Sequence, residues 1–174
     1  MQNNVPPALA KSIDISALHT GVNHIEIIVD EAARKEIAKR LKVPAVSALK
    51  GDFDIRKIVG GIDVKMKIGA LVERVCIASL EPMTETVAAE YSLHLLRDFD
   101  DREDADERED DDLVSFEPLE GETLDLGELL IQHLALSLDP YPRKADARSL
   151  AADFGSDRTS SPFEALKGLV DDAS

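Results

Sequence analysis

Tryptophan is absent from this chain of 174 residues, cysteine occurs once, and aromatic residues make up only 4% of it. A single cysteine, Cys76, excludes an intramolecular disulfide framework and a cysteine-rich zinc site within one chain. With so few rings the core must be aliphatic, and at 44% hydrophobic residues there is enough material for one domain with a real core. Long apolar runs are also missing. No stretch approaches eighteen consecutive apolar residues, and the opening MQNNVPPALAKSIDI lacks the charged-then-apolar pattern of a signal peptide, so a soluble, cytoplasmic protein is expected. Positive charge is scarce: 20 Lys and Arg stand against 35 Asp and Glu, a formal −15. A protein that grips phosphate backbone over a broad face usually carries the opposite sign, whereas acidity favours solubility and attraction to basic partners.

The signatures of common chemistries are missing too. There is no G-x-S-x-G, no P-loop and no G-x-G-x-x-G, and Gly60-Gly61 reads as a turn rather than a phosphate cradle. His19, His24, His94 and His133 are scattered, with no HxxxH or HxH spacing, and His133 reads as a satisfied residue on a helix face. No enzyme, metal, cofactor or small-molecule substrate is expected.

What is present is a clear sequence of periodic segments. Residues 1–12, with Pro6-Pro7, read as a flexible N-terminal arm. In VNHIEIIV (22–29), Ile25, Ile27 and Val29 share one face of a strand. Asp30 suits an N-cap, and Ala33, Ile37, Ala38 and Leu41 form the stripe of a helix that Pro44 follows. Residues 47–59 and 62–72 then alternate as two strands of a hairpin, and MTETVAAEYSLHLL adds a third in up-and-down order, with antiparallel pairing throughout. After an acidic loop at 97–112 come a short strand and turn. Asp125-x-x-Glu128 then has capping-box spacing for a leucine-rich helix ended by Pro140 and Pro142. Residues 143–160 read as a flexible linker, and Ser161-Pro162 opens a short helix with Phe163, Leu166, Leu169 and Val170 on one stripe. The fold class expected is α+β, an antiparallel sheet of hairpins packed with two to three helices, in a single domain over 13–142.

Three of these segments together resemble the YceD family, the large ribosomal RNA subunit accumulation proteins of bacteria and plastids. LVERVCIASLEPM (71–83) is similar to the family's strand and cysteine-centred turn. GETLDLGELLIQHLALSLDPYP (121–142) is similar to its Asp-Leu, helix and double-proline block, carried here by Asp125, Leu126, Glu128, Pro140 and Pro142. SPFEALKGLV (161–170), with Pro162 and Phe163, is similar to its C-terminal helix. The acidic insertion between the first two blocks is a family habit. Cys76 matches the first family cysteine, but Ser79 stands where the second would be, and no His or Cys follows Pro142. Metal binding of the kind some relatives could support is therefore not expected. The resemblance implies a non-enzymatic role in keeping large-subunit ribosomal RNA at normal levels through processing or ribosome assembly. Its partners would be that RNA, directly or indirectly, and basic ribosomal or processing proteins. The alternative is an acidic module that escorts a basic ribosomal protein without touching RNA.

Four features are candidates for contact. Lys50, Arg56, Lys57, Lys65 and Lys67 cluster in the first hairpin and form either a phosphate contact for RNA or the ordinary solvated side of a half-buried sheet. The stripe Phe163, Leu166, Leu169 and Val170 either folds back on the domain or docks on a partner. Cys76 reads as a buried or half-buried residue at a strand end. The run RDFDDREDADEREDDD (97–112) fails as a calcium loop, because Arg102 and Glu103 fall where a ligand oxygen and a glycine are needed. It reads as a solvated insertion or a contact for a basic partner.

Overall fold

Apolar residues at every second position from 45 to 96 make one face of a sheet, and that face has to be covered. The computed structural model describes Leu9 and residues 11–97, 114–145 and 147. Its elements run β1 (Ser12–Asp14), β2 (Asn23–Ile28), α1 (Glu31–Leu41), β3 (Ala45–Ile58), β4 (Gly61–Val75), β5 (Pro82–Leu96), β6 (Val114–Pro118), β7 (Thr123–Asp125) and α2 (Leu126–Ser137). Strands β2-β3-β4-β5-β6 form one sheet in that order, and β1 and β7 form a small second one. The α+β class holds. Residues 98–112 of the acidic run and the helix expected at 161–170 lie outside the described residues.

Ile62, Val64, Met66, Ile68, Ala70 and Val72 of β4 all point inward and are buried, as are Phe53 and Ile55 of β3 and Leu93 and Leu95 of β5. A bulge at Ser47 lets Val46 and Leu49 both face this core despite their odd separation. Helix α1 adds Ala33, Ile37 and Ala38, capped by Asp30, whose side chain accepts from the Ala33 amide at 2.8 Å. Helix α2 is buried on almost every side: Leu126, Leu130, Ile131 and Leu134 are each at most 1% exposed. It lies on the inner face of β5, where the Tyr91 and Ser137 hydroxyls share a 2.8 Å hydrogen bond and the Tyr91 ring meets His133 edge-on. His133 is satisfied within its own helix, its Nδ1 lying 3.0 Å from the Leu129 carbonyl. Each fully buried Leu or Ile contributes roughly 1.5–3 kcal/mol relative to exposure.

Several expectations need correction. Strand β6 pairs with β5 in parallel, Ser92 opposite Val114 and Leu96 opposite Pro118, so the up-and-down order ends at β5. Antiparallel pairing follows from short connections; residues 97–113 are long enough to carry the chain back to the start of a parallel neighbour. The first hairpin turns at Val59-Gly60, not Gly60-Gly61. Gly60 takes the positive φ of 79°, while Gly61 already pairs with Ile58, and a Cβ there would lie 1.9 Å from the Leu95 carbonyl oxygen. The arm expected over 1–12 is anchored at its end. Leu9 is buried, its carbonyl oxygen would sit 1.7 Å from any Cβ at position 127, and β1 pairs with β7 from Ser12 onward. The linker expected from 143 is likewise held at its start, because the Lys144 side chain bonds to Glu81.

The capping box is half formed. Asp125 accepts from the Glu128 amide at 3.0 Å, but the Glu128 side chain turns away from the cap toward α1. There it takes a two-pronged bond from Arg40, one prong at 2.6 Å, and a third from Gln132. Glu128 is only 8% exposed, and Arg40 holds its carboxyl below the usual glutamate range. A carboxylate whose pKa is depressed on folding contributes stability above its unfolded pKa, about 4.3, that is lost as the pH falls through the lower folded value. Arg40→Ala should therefore cost about 2 kcal/mol at pH 7, less than a wholly buried pair because the guanidinium is partly exposed. In urea denaturation the gap between wild type and variant should shrink steadily below pH 4; a gap that does not change with pH would show that the pair carries none of this stability.

Candidate functional site

Outward-facing positions of β2 to β5 place the hairpin cations in a mixed array. The register sets Glu26, Asp52, Lys67 and Glu90 in one row across the sheet, with His24, Asp54, Lys65 and Ser92 in the next. A third row holds Arg56, Asp63 and His94. Lys50 bonds to Glu26 at 2.7 Å and Asp52 at 3.2 Å, and Lys67 to Glu90 at 2.9 Å. These carboxylates raise the pKa of both lysines. Arg56 meets the buried Asp63 at 3.0 Å, with His94 Nε2 3.4 Å from the other carboxylate oxygen. Lys65 has no ion pair among the described residues.

Four of the five candidate cations thus share the outer face, and Lys57 does not. It has the same parity along β3 as Phe53 and Ile55, sits opposite the buried Ile62, and donates to the Ser16 carbonyl at 3.0 Å. Its grouping with Lys50 and Arg56 is corrected by parity: alternate residues of a strand lie on opposite faces. Five carboxylates on the same face offset the four remaining cations. The charge of the chain is also unevenly distributed. Its described residues contain 18 acidic and 15 basic side chains, a formal −3, whereas 98–113 holds eleven carboxylates and two arginines. Arg97, the first residue of the run, is tied to Glu122 by two bonds of 2.6 and 2.9 Å.

At the far end of β4 the segments around Cys76 and around Pro140 and Pro142 come together. Arg74 bonds to Glu85 at 2.8 Å, both largely buried, and to the Asp139 carbonyl at 2.9 Å. Glu85 in turn accepts from the Asp139 amide at 2.8 Å. The Pro142 carbonyl accepts from the Ile77 amide at 2.9 Å. Cys76 is fully buried directly after β4, and its Sγ accepts the amides of Ser79 at 3.4 Å and Lys144 at 3.5 Å. Glu81 closes the turn, receiving the Cys76 amide on its carbonyl and Lys144 Nζ on its side chain at 2.7 Å. The sequence motifs single out Cys76, Pro140 and Pro142, but not Arg74, Glu85, Glu81 or Lys144 as their connectors. Opposite charges in the two segments are the one sequence signal that hints at them. Asp125, Leu126 and Glu128 serve the helix as cap, core and bridge to α1. Pro162 and Phe163, with Leu166, Leu169 and Val170, lie outside the described residues.

Donation from Ser79 first, and then from the Lys144 amide, lowers the Cys76 thiol to about 7 against the opposing effect of burial. Among the described residues no three His, Cys, Asp or Glu side chains are grouped to share a metal ion. Thiolate absorbance should titrate with a midpoint near 7 in the folded protein and shift toward about 8.5 on unfolding. A folded midpoint at the ordinary value would mean that these donors do not act on the sulfur.

No curated protein and no solved structure matches the chain. A family model described as large ribosomal RNA subunit accumulation protein YceD matches residues 64–170, from within β4 through both motif blocks that meet at Cys76 and Pro142. Lys50, Arg56 and Lys57 fall before the matched range, Lys65 and Lys67 within it. With more than half of its length matched, the chain belongs to the YceD family of large ribosomal RNA subunit accumulation proteins.

Proposed function

We propose that the protein is a non-enzymatic, cytoplasmic factor of a bacterial cell that supports accumulation and processing of large-subunit ribosomal RNA during ribosome assembly. Family membership carries this reading. Two features support the non-enzymatic part: no nucleophile, base and phosphate-cradling motif occurs in the sequence, and the cluster of Arg74, Glu85 and Asp139 is engaged in holding the Asp-Pro-Tyr-Pro segment against β4 and β5. Such a factor works by holding partners. Basic ribosomal or processing proteins fit the acidic chain, and the run 98–113 offers them a dense negative surface by its composition.

One observation favours the second reading, an escort of a basic ribosomal protein that never touches RNA. The outer-face cations Lys50, Arg56 and Lys67 are already matched to carboxylates, which lowers what each could gain from a phosphate. Lys65 is the cation most available for such a contact. Depleting the protein should lower large-subunit RNA relative to small-subunit RNA; an unchanged ratio removes the proposal. Complementing the depleted cells with Lys65→Glu/Lys67→Glu separates the two readings. Restored RNA ratios support the escort, and a failure to restore them with normal protein levels supports direct contact.

A further inference from the structure

The two edges of the five-stranded sheet are finished differently. β2 is six residues long, and Lys11 Nζ donates to its Glu26 carbonyl at 3.4 Å. The opposite edge is divided. β6 pairs only with Ser92–Leu96, so the stretch from Met83 to Tyr91 of β5 has β4 on one side and no strand on the other among the described residues. The Arg97 amide donates to the Gly60 carbonyl, and the Leu96 carbonyl accepts from Leu119 just after β6. Odd-numbered residues of β5 therefore bond to β4, and the amides and carbonyls of Thr84, Thr86, Ala88 and Glu90 point away from it. Among the described residues these four amides and carbonyls have no partner. An open row of this kind, roughly 20 Å long, is a template for another strand. β5 contains no glycine, bulge or lysine that would blunt it.

We propose that this edge binds an extended basic segment of a partner protein as an added strand, with Lys or Arg facing outward and aliphatic residues inward. The inference rests on the reading of the protein as a factor that holds basic partners, and it names where and in what conformation one is held. Charge decides the occupant. From Val75 to Leu96 and from Val114 to Pro142 there is no lysine or arginine, so β5, β6, β7 and α2 carry carboxylates without fixed cations. On the outer face the row of Glu26, Asp52, Lys67 and Glu90 has a net −2 and ends at the open edge with Glu90, whose side chain is 72% exposed. A cation on an added strand continues that row with the opposite sign. On the inner face stand Val87 and Ala89. Leu136, 74% exposed, follows His133 by three positions on the side of α2 that meets Tyr91, and it offers apolar contact to inward side chains. A second copy would set two strands without cations edge to edge, and nucleic acid would bring phosphate to the same carboxylates; the sign of the charge opposes both. In such an addition the main chain supplies affinity and the alternating side chains supply selectivity.

Hydrogen exchange on the full-length protein, with an acetylated and amidated nonapeptide of alternating Lys and Val, tests this. At saturating peptide the amides of Thr84, Thr86, Ala88 and Glu90 should exchange about tenfold slower or more, while those of Val87 and Ala89, already bonded to β4, change little. Unchanged exchange at the four edge amides overturns the inference. Peptides N-methylated on every lysine or on every valine keep the charge, and one of the two loses the amides that face β5. That one should bind about tenfold more weakly or worse. Equal binding by all three peptides means attraction of charge alone and also overturns the inference. Ala88→Pro deletes one edge amide at a position where proline is tolerated, and it should weaken binding of the parent peptide. Edge amides that slow without peptide as protein concentration rises overturn the inference in favour of a second copy. Depleted cells separate it from the proposed function. A large-subunit RNA ratio unchanged by depletion removes that function and leaves the peptide result standing. A ratio that depletion lowers and Ala88→Pro fully restores removes strand addition alone.

Discussion

A sheet with one apolar face is stable only when something covers that face, and here the chief cover is α2. Leu126, Leu130, Ile131 and Leu134 are almost completely removed from water, so the helix is enclosed and not merely laid on the surface. Closing it in requires the N-terminal segment at Leu9, the small sheet β1–β7 and helix α1. The Arg40–Glu128 bridge is the polar part of this enclosure. Taking Glu128 out of water is tolerable because three hydrogen bonds meet its carboxylate. One helix thereby sets the positions of elements from both ends of the described chain.

Because both helices lie on the inner side, the outer face of the sheet is left to solvent and charge. A lysine-rich strand beside an acidic one would normally be read as a basic patch next to an acidic patch. The register instead interleaves them: the rows through Lys65 and through Arg56 balance, and the row of Glu26, Asp52, Lys67 and Glu90 carries a net −2. The acidity of the chain is concentrated in the connection between two parallel neighbours, β5 and β6. That segregation gives the proposed factor a near-neutral body and one strongly acidic segment.

The junction at Cys76 shows how a short turn can be organised without metal ligands in number. A buried sulfur receives two amides, and an ion pair between Lys144 and Glu81 closes the turn from outside. Arg74 and Glu85 then fix the Asp-Pro-Tyr-Pro segment against the ends of β4 and β5. The two motif blocks that identify the family are therefore one structural unit.

Much of the fold is legible in the amino-acid sequence. Period-two alternation locates β3, β4 and β5 and, in β4 and β5, selects the inward residues, because one residue of slippage would turn the whole apolar set outward. Asp30 and Asp125 are recognisable as caps, since a short acceptor ahead of an apolar stripe satisfies amides that a helix leaves open. The inward parity of Lys57 is contained in the alternation of its own strand, although its charge draws it into the cluster of outward cations. The parallel pairing of β6 is not readable, because a connection's length permits a topology without selecting it. Nor does sequence show that Glu128 bonds to Arg40, 88 positions away, or that the lysines of the hairpin already have partners. Local periodicity and capping depend on neighbours within a few residues and so reside in the sequence itself. Which charges meet, and which face stays open, depends on register and on packing between distant segments, and only the tertiary structure decides it.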